Sequence, residues 1–75
     1  MNYIPYTLSE CLSEAARWQE KAFTIARSDT FLLWMAQSAA DWYSAAKIAR
    51  SKGVVYIRKV GFGRIYIQPD ERWVK

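Results

Sequence analysis

The chain contains no histidine and a single cysteine, and of its 75 residues only three are glycine and two proline. Each shortage removes a class of explanation. Without histidine, no Ser-His or Cys-His catalytic arrangement can be assembled. With Cys11 alone, no disulfide can close within the chain, and a structural zinc has almost no ligands to draw on. Neither a metal nor a cofactor is therefore expected. The few glycines form no phosphate-cradling motif, since Gly61-Phe62-Gly63 has the spacing of a turn. No apolar run approaches the roughly 18 residues that cross a bilayer. Met1-Asn2-Tyr3-Ile4-Pro5 lacks a basic stretch leading into an apolar one, so no signal peptide is expected and the setting reads as cytoplasmic.

What is present is apolar and aromatic. Hydrophobic residues make up 52% of the chain, and its four Trp, five Tyr and three Phe are many for so short a sequence. That content argues for a packed core rather than disorder. The length suits one small domain, spanning 1–75. A domain of this size buries only about 60% of its unfolded surface, which makes its stability marginal. With disulfides and zinc set aside, self-association is the remaining compensating device.

The fold class expected is α+β: two antiparallel helices, then a two-stranded antiparallel hairpin, with a short extended segment over 2–6 in front. Pro5 holds Ile4 extended, and Thr7-Leu8-Ser9-Glu10 reads as a capping box. The spacing predicts a first helix over about 8–27, with Leu8, Cys11, Leu12, Ala15, Ala22, Phe23 and Ala26 on one face. Glu14 falls on the opposite, solvated side. Gln19 interrupts the apolar line, as a polar residue at a core edge bonded to backbone would. Ser28-Asp29-Thr30 breaks and re-caps the chain, and a second helix is predicted over about 30–51, stopped by Gly53. Its pattern is apolar on more than one side: Leu32, Met35, Ala36, Ala39, Tyr43 and Ala46 on one, Trp34, Ala45 and Ile48 nearly opposite. Such a helix must be covered twice. Helix 1 and the sheet supply two covers, and a second copy docking on the Trp34 side is the competing explanation.

Residues 54–68 alternate as a hairpin, with a strand on either side of the glycine turn. Alternation sends Val55, Ile57, Ile65 and Ile67 toward the helices and leaves Tyr56, Arg58, Arg64 and Tyr66 on the outer side. Pro69 ends the second strand, and 70–75 form a tail bearing Trp73. The net charge of +4 is unevenly spread. Residues 1–46 carry three cations and five acids (−2). Residues 47–68 carry Lys47, Arg50, Lys52, Arg58, Lys59 and Arg64 with no acid (+6), and the tail is neutral. Helix-end and edge-strand roles account for part of this excess.

Catalytic residues are not expected. Glu10 and Asp29 suit caps, and Cys11 lies on the apolar face, where an inert buried thiol is the natural reading. The class expected is a small non-enzymatic regulatory or inhibitory binding protein, of the accessory kind that phages and mobile elements encode. It would grip a host or regulatory protein with Trp34, Tyr56, Phe62, Tyr66 and Trp73 as anchors among Arg58, Lys59 and Arg64. The alternative is a nucleic-acid binder that uses the Tyr/Arg hairpin with Lys47, Arg50 and Lys52 as a flanking basic patch. The order of a short strand, a helical hairpin and a basic sheet also loosely resembles ribonuclease toxins of the RelE type, which implies RNA cleavage by Arg, Lys and Tyr. No residue motif of that family is matched, and this chain has longer helices and fewer C-terminal strands.

Overall fold

The structure, a computed structural model, describes residues 3–25, 27–61 and 63–68. The expectations placed on Ala26, Phe62, Pro69 and the tail with Trp73 lie outside the described residues. The element order is β1 (Ile4–Tyr6), α1 (Leu8–Thr24), α2 (Asp29–Lys52), β2 (Val55–Lys59) and β3 (Ile65–Ile67). The class is α+β, as expected, with a helical hairpin carrying an antiparallel sheet. That sheet has three strands in the order β1-β2-β3, because the N-terminal segment pairs along the free edge of β2. Pro5 fits there because an edge strand can dispense with one backbone donor.

Local chemistry sets the helix starts. The Thr7 hydroxyl accepts from the Glu10 amide at 3.2 Å, and the Glu10 carboxylate accepts from the Thr7 amide at 2.8 Å. This reciprocal capping box satisfies two donors that no helical carbonyl could reach. α1 ends at Thr24, earlier than the predicted 27. Ser28 must be extended (φ −145°) to cap α2, where its hydroxyl accepts from the Phe31 amide, so the chain has to leave the first helix before it. α2 begins one residue early, at Asp29, whose charge favours the helix N-terminus. Gly53 stops it at φ +93°, a conformation glycine tolerates best.

The core forms where the sheet lies on the helices. Val55, Ile57 and Ile65 pack on Cys11 and Ala15 of α1 and on Trp42, Ala45, Ala46 and Ala49 of α2. Trp42 is the largest fully buried side chain, and Tyr6 meets it edge-on at 5.2 Å between ring centroids. Trp18 joins this core from α1, a role the apolar spacing did not single out. It lies directly beneath Gly63 in the hairpin turn.

The helices outrun the sheet. Twenty-four residues make α2 about 36 Å long, whereas the five of β2 span about 17 Å. Every buried residue of α2 falls between Ser38 and Ala49. Its first half protrudes with the end of α1 as an uncovered tip bearing Phe23, Ile25, Phe31, Leu33 and Trp34. Two covers therefore do enclose α2, but only over its C-terminal half. Leu12 and Phe23, placed on the core face by spacing, are exposed, because that stripe is wider than the seam between the helices. Gln19 bonds across the helices rather than to backbone: its Oε1 accepts from the Tyr43 hydroxyl at 2.9 Å. No helix among the described residues is long and apolar enough to cross a membrane.

Candidate functional site

One face of the sheet rests on the helices, and among the described residues no element packs on the other. The register decides what the open face carries. Arg58 of β2 stands opposite Tyr66 of β3, and Pro5 of β1 stands opposite Tyr56. Two residues back from Pro5, Tyr3 comes onto the same face. The Arg58 guanidinium carbon lies 5.6 Å from the Tyr3 ring centroid and 5.2 Å from that of Tyr66. A tyrosine–arginine–tyrosine row thus crosses all three strands, with the charge flanked by two ring faces. Arg58 is half-buried, and its Nε–H is buried without a hydrogen-bond partner. Tyr56 is half-buried in the next row, where its carbonyl accepts from the Gln68 amide at 2.9 Å.

Flanking rings restrict the rotamers of a long side chain that would otherwise lose entropy on binding. They also hold the planar guanidinium in a fixed plane, the form that grips a carboxylate or phosphate with two parallel hydrogen bonds. Tyr3 was not among the residues singled out from the sequence. Its pairing partner lies more than fifty positions away, and the local sign of a strand is the extended geometry that Pro5 imposes on Ile4.

The structure disperses the remaining cations. Lys59 has the parity of Val55 and Ile57, so it points to the helix side, with Nζ 5.9 Å from the ring centroids of Tyr6 and Trp42. Arg64, expected beside Tyr56, Arg58 and Tyr66, is not on the outer face. It lies before β3 begins, outside the ladder that enforces alternation, and its Nε donates to Asp41 Oδ2 of α2 at 2.8 Å. Lys47 and Arg50 line a groove between the helices together with Leu8, Leu12, Tyr43 and Ala46. Lys52 lies in the last turn of α2, and Trp34 lies in its first half, beyond the sheet. Of the candidates within the described residues, the fold gathers Tyr56, Arg58 and Tyr66 on one face. Lys47, Arg50, Lys59, Arg64 and Trp34 go elsewhere.

Three of the acids are engaged in structural contacts. Glu10 caps α1, and Glu14, half-buried rather than fully solvated, accepts from Arg17 at 2.7 Å. Asp41 accepts from both Arg64 and the Gln37 amide. No group of three potential metal ligands occurs among the described residues. Cys11 is fully buried, and burial, aided by the Glu10 and Glu14 carboxylates, pushes its thiol up to about 11. Because the folded value exceeds the unfolded one of about 8.5, the neutral thiol stabilises the fold below pH 8.5, and that contribution is lost as pH rises through 11. An aromatic disulfide reagent at pH 8 should accordingly label Cys11 only as fast as the chain opens, and denaturant should accelerate labelling sharply. Labelling in native buffer at the rate of a small free thiol would contradict this burial.

No protein-family model, curated protein or solved structure matches the chain.

Proposed function

We propose that this chain is a non-enzymatic regulatory or inhibitory binding module that docks a protein partner on the open face of its sheet. The observation that carries the reading is the Tyr3–Arg58–Tyr66 row, flanked by Tyr56. Tyrosine and arginine dominate the energetics of protein interfaces because they offer large rigid contact area together with directed polar groups. The partner's complementary feature is a carboxylate within an apolar or aromatic rim, received by Arg58.

The spread of cations favours a protein over a nucleic acid. Tracking a phosphate backbone takes several cations along one groove. Here Arg58 is the one cation on the open side of the three strands among the described residues. Lys59 lies against aromatic rings on the helix side, Arg64 is tied to Asp41, and Lys47 with Arg50 lie in the interhelical groove. A single phosphate contact supplies little of the salt-dependent affinity such binders rely on.

Two parallel assays test the reading. Affinity capture after nuclease treatment should retain one stoichiometric protein with the wild-type chain and lose it with Arg58→Ala. Titration with single-stranded DNA and RNA at low salt should give no saturable binding. Tight, salt-sensitive binding to either polymer that Arg58→Glu abolishes would replace the protein partner with a nucleic acid, and degradation of the RNA would reinstate the ribonuclease reading.

A further inference from the structure

Among the described residues, the helical hairpin has a second uncovered face, opposite the sheet. Two adjoining depressions run along it between α1 and α2 and share Tyr43. The proximal one is formed by Leu8, Leu12 and Ala46 with Lys47 and Arg50 on its rim, and the distal one by Leu32, Ala36 and Ala40 beside Phe23. Phe23 is 77% exposed and Leu12 43%, although both belong to the apolar stripe of α1. Knob and hole thus occur at opposite ends of a single face. That is the condition for an isologous contact, in which residue i of one copy meets residue j of the other and the reverse.

We propose that this face is a twofold homodimer interface, in which two helical hairpins pack antiparallel, back to back, into a four-helix layer. Phe23 of each copy fills the Leu8–Leu12–Tyr43 depression of the other. Charge follows the same symmetry. On this face the proximal end carries Lys47 and Arg50 (+2), while the tip carries Glu20 and Asp29 against Arg27 (−1), with Lys21 turned away over the ring of Trp18 on the sheet side. Antiparallel packing sets the basic end of one copy beside the acidic tip of the other, whereas parallel packing would place like ends together. Between the ends the face is lined by small residues, Ala36 and Ala40 on α2 and Ala16 on α1, which permit close helix approach. The Gln19–Tyr43 hydrogen bond crosses it near its middle.

The area suffices. Two helices side by side are about 20 Å wide, and 17 to 24 residues run about 25–36 Å, giving roughly 500–700 Å² per copy. Doubled, this clears the roughly 1,000 Å² that a specific interface needs. Trp34 lies about 120–160° around α2 from Ala40 and Ala36, so this dimer leaves the Trp34 side outward. Both sheets also remain open, so the dimer would present two copies of the Tyr3–Arg58–Tyr66 row.

Sedimentation equilibrium of the full chain tests the proposal. The expected mass is twice that of one chain, dropping to one chain mass at low concentration. Ala40→Glu places two carboxylates at the centre of the contact but is exposed in a single copy. It should halve the mass with an unchanged far-UV circular dichroism spectrum. Lys47→Glu should weaken association in the same direction, and Arg58→Ala should leave the dimer intact. A wild-type chain that stays monomeric at every concentration would overturn the proposal. So would a dimer that survives Ala40→Glu, or one that Arg58→Ala dissociates, which would move the contact to the sheet.

Discussion

Trp42→Ala is expected to abolish cooperative folding. The indole is 1% exposed and lies where both helices and the sheet meet, edge-on to Tyr6 and beneath the Lys59 side chain. Truncating a buried Trp costs about 3–5 kcal/mol, because the transfer free energy of the ring is lost and a cavity remains. At 0.05–0.15 kcal/mol per residue, a 75-residue domain holds only about 4–11 kcal/mol in total. The surrounding alanines cannot close the gap, since Ala45, Ala46 and Ala49 offer methyl groups fixed to the helix backbone. The expected result is loss of the near-ultraviolet dichroism signal and a broad thermal transition far below wild type. Trp42→Phe, which keeps most of the volume, should retain a sharp transition at lower temperature. A Trp42→Ala variant that melts within a few degrees of wild type would show that the core is elsewhere.

Gly63→Ala should be nearly as damaging, although it adds one methyl group. A Cβ at this position would stand 2.5 Å from Trp18 Cζ2 and 2.6 Å from Cη2, well inside contact distance. The backbone there has φ +80°, which L side chains adopt only at a cost of about 1–2 kcal/mol. Displacing a packed indole adds about 1–3 kcal/mol more. Gly61 provides the control. It shares the positive φ, at +96°, but has nothing within 4 Å of its added Cβ, so Gly61→Ala should cost the backbone term alone. Urea unfolding of both variants separates the contributions. Equal midpoints would mean that the turn does not rest on Trp18.

The sequence carried the fold where its determinants are local. Thr7 and Glu10 lie three residues apart, as do Ser28 and Phe31, so both helix starts could be read from neighbours. The β2–β3 hairpin followed equally from its alternation and its glycines. Determinants distant in sequence were not legible in this way. The pairing of β1 with β2 brings residues 4–6 against 55–57, and nothing local to either segment specifies it. Tyr3 therefore carries no local signal, and neither does the row that makes the open face distinctive. Parity placed Tyr56, Arg58 and Tyr66 correctly but failed for Arg64, because alternation binds only residues inside the ladder. Spacing identified α2 as apolar on several sides without revealing that the sheet is half its length. The uncovered tip follows from that mismatch, and the uncovered back of the hairpin from the sheet lying on one side of the helices only.

On the two proposals made above, those surfaces would divide the work. The open sheet concentrates rigid rings around one oriented cation, whereas the back of the helices offers a self-complementary apolar face of small residues. A partner on the first and a second copy on the second do not compete for space. Bivalent presentation would raise the avidity for a partner that is itself multimeric.

The central claim, that the open sheet face is the partner-binding surface, is tested most directly by comparing affinities across two sets of variants. The captured partner would be titrated against Tyr3→Ala, Arg58→Ala and Tyr66→Ala, and in parallel against Lys47→Ala and Arg50→Ala. Arg58→Ala should weaken binding by about 2 kcal/mol or more, roughly 30-fold, and each tyrosine variant by several-fold. The two helix-end variants should change the affinity per site by less than about two-fold, whatever their effect on self-association. Losses concentrated at Lys47 and Arg50, with Arg58→Ala near wild type, would contradict the account.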